Sequence, residues 1–417
     1  MIGKVKKYNE LFEETQDPSI DNQKSNPLTD DQIKFLDLHC RQGSSWKYNR
    51  ETGKVDIEGT FDATDYSLYD LEGIEFGVVS GSFMIAENNL TTLKGCPEVV
   101  GKKFTCRGNN KLESLEFGPK KVGGDYYCSY CSLQSLDGSP EEIEGDFNFT
   151  NNLISSLKGG PRIVKGSFLG RLNNLYNLDG SPEVVGGDFT LAQNNIESLA
   201  GCTKDIGGDF IMNVNNLISL EGGPKSSKSM MYLIASNSNL KSLKGCPVET
   251  SAFDASECGL ESLEGSPREV NGSFNVSMNN LKSLEGSPEK VLGMYDCSFN
   301  DIKDVTGISS YIEGNLEIED NPIESLKGFD YTDANFRLPK TIYISDSDGY
   351  KGELLIEIAK ICYAYQIPWE QGVLKKWDAM TDEEKIRIYK QVKDLISAED
   401  LKYYKAMDKY LNLKNLL

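Results

Sequence analysis

The chain has 417 residues, 38% of them hydrophobic, with 39 glycines and 14 prolines, so it can bury a sizeable core inside a turn-dense fold. Its 64 acidic and 44 basic side chains leave a formal charge of −20, which repels nucleic acid and anionic membrane surfaces at range and attracts basic partners. One histidine leaves little for histidine-based catalysis, and no run approaches the roughly 20 apolar residues of a membrane helix.

Residues 1–27 are polar, carry Asp17-Pro18 and Asn26-Pro27, and read as a loosely docked arm. The opening Met1-Ile2-Gly3-Lys4-Val5-Lys6-Lys7 lacks the apolar run of a signal peptide, so an intracellular location is expected. Thr29-Asp30-Asp31-Gln32 has the form of a helix start leading into Ile33, Phe35, Leu36 and Leu38. Trp46-Lys47-Tyr48-Asn49 and Lys54-Val55-Asp56-Ile57 flank Glu51-Thr52-Gly53 as a hairpin would. Residues 28–60 are therefore expected to form an N-terminal cap.

Residues 61–330 are a repeat. A leucine before a Gly-x-Pro turn recurs at Leu71, Leu93, Leu115, Leu136, Leu157, Leu178, Leu199, Leu220, Leu243, Leu263 and Leu284, at spacings of 20–23 residues, and again at Leu326. A fixed period of this length marks a solenoid. The aromatic slot of each unit falls at Phe61, Phe83, Phe104, Tyr126, Phe147, Phe168, Phe189, Phe210, Leu233, Phe253, Phe274, Tyr295 and Leu316. Two residues on stands an apolar or small side chain such as Ile85, Cys106 or Leu191, the alternation of a short strand. Five residues on stands asparagine in many units, among them Asn88, Asn109, Asn194 and Asn300, or cysteine at Cys131 and Cys258. Seven residues on comes Leu or Ile, then Ser-Leu, the Gly-x-Pro corner, a Val or Ile, and Gly-Asp or Gly-Ser.

Physical chemistry assigns each slot a task. Phe and Leu stack on their counterparts in neighbouring units, each burial contributing roughly 1.5–3 kcal/mol. A buried asparagine offers both a carbonyl and an amide to backbone groups freed where the strand ends. Proline lacks a donor and fixes φ, so the backs should be extended or turn-like rather than helical. Of the ten cysteines, Cys106, Cys128 and Cys297 fill inward strand positions and Cys96, Cys202 and Cys246 sit at the corner, which favours buried thiols as apolar filler over disulfides.

The aromatic-x-apolar-x-x-Asn-x-Leu pattern resembles the Leu-x-Leu-x-x-Asn-x-Leu core of leucine-rich repeats. The version ending Leu-x-Gly-x-Pro-x-x-Val-x-Gly is most similar to the leucine-rich-repeat-like proteins of tailed bacteriophages and bacteria. The resemblance implies a β-rich solenoid of ~21-residue units, parallel strands and non-helical backs. For function it implies only a binding scaffold.

One zone is irregular: Pro224-Lys225-Ser226-Ser227-Lys228-Ser229-Met230-Met231-Tyr232 replaces the usual Val-x-Gly-Asp segment, either as a register adjustment or as a protruding loop. Thr341-Ile342-Tyr343-Ile344 reads as a last strand, and helical runs at about 351–366, 382–396 and 398–414 read as a small α-helical C-terminal domain over 331–417. Residues 1–59 hold 9 basic and 11 acidic side chains and residues 331–417 hold 14 of each, so 21 and 39 remain, and −18 of the −20, for residues 60–330.

Enzymatic readings find little support. His39 and Cys40 point apart on a helix. Cys128-Ser129-Tyr130-Cys131 has zinc spacing but no second pair. Gly123-Gly124-Asp125, Gly186-Gly187-Asp188 and Gly207-Gly208-Asp209 resemble calcium-binding glycine-aspartate repeats but recur at multiples of 21 rather than nine. No catalytic residue, metal or cofactor is expected. The strand face should expose the positions one before, one after and three after the aromatic slot. There Tyr127, Leu169, Ile211 and Ile234 form an apolar stripe beside Asp125, Asp146, Asp188 and Asp209. The expectation is a non-enzymatic scaffold binding a protein partner, of basic character by charge complementarity, through a concave strand face, with no direct contact to nucleic acid or membrane. Alternatives are a virion or appendage component and an acidic decoy of a nucleic-acid-binding protein.

Overall fold

The computed structural model describes residues 27–224, 230–237 and 239–323, together with Gly328, Pro339 and the strand Ile342–Tyr343. The arm before residue 27, residues 225–229 of the irregular zone and the three C-terminal helical runs lie outside the described residues.

The chain divides into two compact units at His39 and Cys40. In the first, helix α1 (Asp30–His39) begins as expected. Thr29 Oγ1 accepts from the Gln32 N–H at 3.2 Å while Gln32 Oε1 accepts from the Thr29 N–H at 3.0 Å, a reciprocal capping box. Asp30 and Asp31 in its first turn complement the helix dipole.

The second unit opens with the expected hairpin, strands β1 (Ser45–Asn49) and β2 (Lys54–Glu58), paired antiparallel. β2 then pairs in parallel with Phe76–Val79, so the hairpin forms the first rungs of a ladder. Two parallel ladders run on from there. The aromatic ladder continues in register from Phe61–Asp62 to Leu316–Glu317 and ends on Ile342–Tyr343, fourteen strands among the described residues. The Val/Ile segments form a second ladder, among the described residues nine strands from β1 to Asp205–Ile206 and four from Glu249–Thr250 to Tyr311–Ile312. Proline corners predict extended backs; the structure shows that these backs themselves hydrogen-bond into a sheet. Thirteen aromatic strands from Phe61 to Leu316 delimit twelve turns of about 21 residues.

The core lies between the ladders. Aromatic rings stack unit on unit, with centroids 5.5 Å apart for Phe168–Phe189 and 5.8 Å for Phe189–Phe210 at interplanar angles of 17° and 11°. Val100, Val164, Val185 and Ile312 close it from the other sheet. The corner is a turn closed by Ser181 N–H to the Leu178 carbonyl at 3.0 Å, with Gly180 at φ +91°, a dihedral that β-carbon sterics deny to most residues. Size is balanced across units. A β-carbon on Gly170 would stand 2.1 Å from Cζ of Phe149, so the glycine is the space into which that extra ring fits.

The structure corrects the irregular unit. Its aromatic slot is Tyr232, not Leu233: Tyr232 pairs with Phe210, and its ring stacks 4.8 Å from Phe210 and 5.9 Å from Phe253. The 23-residue leucine spacing here is two longer than the ordinary 21, and one of the two extra residues comes after the strand, between Asn237 and Leu240, where the Leu240 N–H returns to the Asn237 carbonyl at 3.0 Å. Asn237 thereby takes the asparagine slot, buried and bonded like its counterparts. Ile234 shifts to the inward position and is fully buried, so it leaves the outward stripe and Leu233 replaces it.

Candidate partner-binding face

The face is built on side chains that first satisfy the backbone. Asn194 shows the asparagine device: Oδ1 accepts from the Leu175 N–H of the preceding unit at 3.1 Å, and Nδ2 donates to the Gly170, Leu191 and Ala192 carbonyls. Asn88, Asn109, Asn152, Asn173, Asn215, Asn279, Asn300 and Asn321 sit in the same slot with the same bonds to a preceding N–H. Cysteine can donate but accepts poorly. Cys131 and Cys258 give their thiols to the Cys106 and Ile234 carbonyls at 3.5 and 3.2 Å. In those two preceding units one extra residue comes after the asparagine, and the N–H of Leu112 or Leu240 is met by its own unit's Asn109 or Asn237 carbonyl. The length of one unit thus answers the residue type of the next.

The aspartates expected to face a partner are also structural. Asp125 Oδ1 accepts from the Asp146 N–H at 3.1 Å, Asp146 Oδ1 from Ser167, Asp188 Oδ1 from Asp209, and Asp209 Oδ1 from Met231. Ser167 Oγ fills the gap by accepting from Asp188 at 3.1 Å. A glycine two residues before the aromatic slot leaves room for this carboxylate in the units of Phe147 and Phe210: a β-carbon on Gly145 or Gly208 would lie 2.4 or 2.3 Å from Oδ1 of Asp125 or Asp188. The Gly-Asp pair is therefore a stacking device, which accounts for its 21-residue recurrence. Among the described residues no group of three or more His, Cys, Asp or Glu side chains is placed to hold a metal ion.

In the column after the aromatic slot, Asn148, Asp254, Asn275 and Asp296 turn back to accept from the N–H two residues on. Tyr127, Leu169, Ile211 and Leu233 have no such task and remain partly exposed. Tyr127 is the most embedded in charge: the Lys103 ammonium lies 4.0 Å from its ring centroid and its hydroxyl 3.5 Å from Asp146 Oδ2. Partial burial, with Asp125 and Asp146 alongside, pushes its phenol up to about 12. The position three after the slot is more covered than expected, with Ala86, Ser129, Ala192, Ser277 and Ser298 all buried.

The position four after the slot, which the repeat pattern does not single out, is the one that protrudes. The chain bends there through the left-handed region: Glu87, Tyr130, Asn151, Leu172, Gln193, Val214, Met278 and Phe299 all have φ between 54° and 58°. Glycine and asparagine adopt that conformation most readily, and a β-branched residue is a genuine outlier. Yet Tyr130, Leu172 and Val214 occupy it with 54%, 42% and 48% of their surface exposed. The signal in the sequence was a bulky apolar residue directly before the slot asparagine.

Together the two columns alternate from unit to unit: Tyr127 with Tyr130, Asn148 with Asn151, Leu169 with Leu172, Thr190 with Gln193, Ile211 with Val214. His39, buried and 4.5 Å from the Phe35 ring, belongs to α1. All nine described cysteines are free thiols, and burial pushes Cys202 and Cys258 up to about 12. Among the described residues no helix is long and apolar enough to cross a membrane. No family model, curated protein or solved structure matches the chain.

Proposed function

We propose that this protein is a non-enzymatic binding scaffold that presents its aromatic-ladder face to a protein partner. The observation that supports it is the set of apolar side chains held outward at left-handed positions, where the fold alone favours Gly or Asn. Partly exposed apolar patches of this kind mark contact surfaces. The repeat pattern further suggests an affiliation with the leucine-rich-repeat-like proteins of phages and bacteria, acting inside a host cell on a host or viral protein.

The test is capture of a partner from host lysate by the full chain, repeated with Tyr127→Ala and Ile211→Ala. Each should weaken binding by more than about 1 kcal/mol while the thermal transition stays in place. Hydrogen exchange on these strands should slow when the captured partner is added. Unchanged capture by both variants, with unchanged exchange, would remove this face from the function.

A further inference from the structure

Resting on the protein-binding reading above, we propose that the face from Asp125 to Val214 receives a basic, proline-rich segment in the polyproline II conformation. It lies along the stacking direction with an apolar side chain at every third residue.

Spacing is the first argument. Neighbouring strands are about 4.8 Å apart, so anchors carried by alternate units recur every ~9.6 Å. A polyproline II chain rises about 3.1 Å per residue and repeats each face after three residues, ~9.3 Å. A β-strand repeats its face at roughly 6.7 Å and misses the second anchor. An α-helix returns nearest to the same face after seven residues, about 10.5 Å, and drifts by nearly 2 Å over three anchors. The anchor pairs Tyr127/Tyr130, Leu169/Leu172 and Ile211/Val214 stand in alternate units of the paired ladder, which strand spacing puts at about that interval.

Hydrogen-bonding polarity is the second. Between the anchors, Asn148 already uses Oδ1 to accept from the Thr150 N–H, and Gln193 uses Oε1 to accept from Arg171 at 3.0 Å. Each of these oxygens already accepts one bond within the protein, and the amide NH2 groups stand beside them as donors. A helix has satisfied its own carbonyls, whereas a polyproline II backbone displays bare carbonyls and, where proline-rich, few N–H groups. Amide donors between the anchors suit that backbone, and tyrosines at one end suit proline rings.

Charge is the third. Along this face four aspartates, Asp125, Asp146, Asp188 and Asp209, stand against two cations, Arg171 and the Lys103 that lies over the Tyr127 ring. Lysine or arginine flanks complement that excess, chiefly by steering encounter.

The probe is a fluorescent peptide of three Leu-Pro-Pro triplets with two lysines at each end. It is compared by anisotropy with a scrambled version, a glutamate-flanked version and a lysine-flanked helical peptide bearing leucines seven apart. The triplet peptide should bind the full-length protein about tenfold more tightly than any of the others. Leu172→Asn and Val214→Asn should each weaken it about fivefold or more while raising the unfolding midpoint, since asparagine suits the left-handed bend better. That combination separates a lost contact from a lost fold. Preference for the helical or scrambled peptide, or no binding by any, overturns the polyproline assignment. In that event, lysate capture that still depends on Tyr127 and Ile211 leaves the scaffold reading standing, and capture indifferent to them removes both.

Discussion

Single side chains in this protein are chosen for the bonds they close as much as for the volume they fill. Asn194→Ala removes one acceptor and two donors from the buried backbone at once, and should cost about 1–3 kcal/mol in urea unfolding. The aromatic slot offers a finer contrast. The Tyr295 hydroxyl bonds Ser287 Oγ at 2.8 Å, while the buried Tyr126 hydroxyl meets no partner among the described residues and fits because Gly118 lies opposite. Tyr126→Phe should therefore gain about 1 kcal/mol, and Tyr295→Phe should lose stability by removing the bond to Ser287, which keeps only its bond to the Leu284 carbonyl. Buried thiols add a pH dependence. Cys202 and Cys258 keep their protons in the fold to about 12, against an ordinary value of 9.0, so the folded state binds more protons than the unfolded chain between those limits. In reducing buffer the urea midpoint should hold steady below about pH 9 and fall from there to pH 12. A midpoint that rises over that range would contradict the burial of these thiols.

At the scale of one repeat, the unit is completed by its neighbours. Deleting Lys111 shortens the first of the two long units, draws the Leu112 N–H away from the Asn109 carbonyl and presents it to Cys131, which accepts poorly. That deletion should destabilise alone, and Cys131→Asn combined with it should recover much of the loss, a coupling on the order of 0.5–3 kcal/mol in a double-mutant cycle. The aspartate caps make an equally direct prediction. Asp188→Asn keeps an acceptor for the Asp209 N–H and should mainly slow partner association and flatten its salt dependence, whereas Asp188→Ala should lower stability too. Period and slot were legible in the sequence because Phe, Asn and Leu recur where stacking demands identical neighbours. The register of the 225–237 unit was not, since an extra residue placed before or after the strand leaves the same leucine spacing; only the stacking of Tyr232 between two rings decides it. The candidate face was legible in Tyr127, Leu169 and Ile211. Its second column was missed because nothing in a period-two alternation announces that the chain bends left-handed at Tyr130, Leu172 and Val214.

Across the whole array, stability is a sum of like contacts between successive turns rather than the property of one centre. Identical neighbours make such a sum cooperative, while the long units at Asn109 and Asn237 mark where it changes. The two parallel ladders have a mechanical corollary. Load applied along the stack pulls the strand bonds of each turn in line with the force, so turns should detach one after another from an end. Each released turn of about 21 residues gives at most about 70 Å of extended chain. A molecule stretched between its two ends should therefore yield as a regular sawtooth near that step, with the spring giving way one coil at a time.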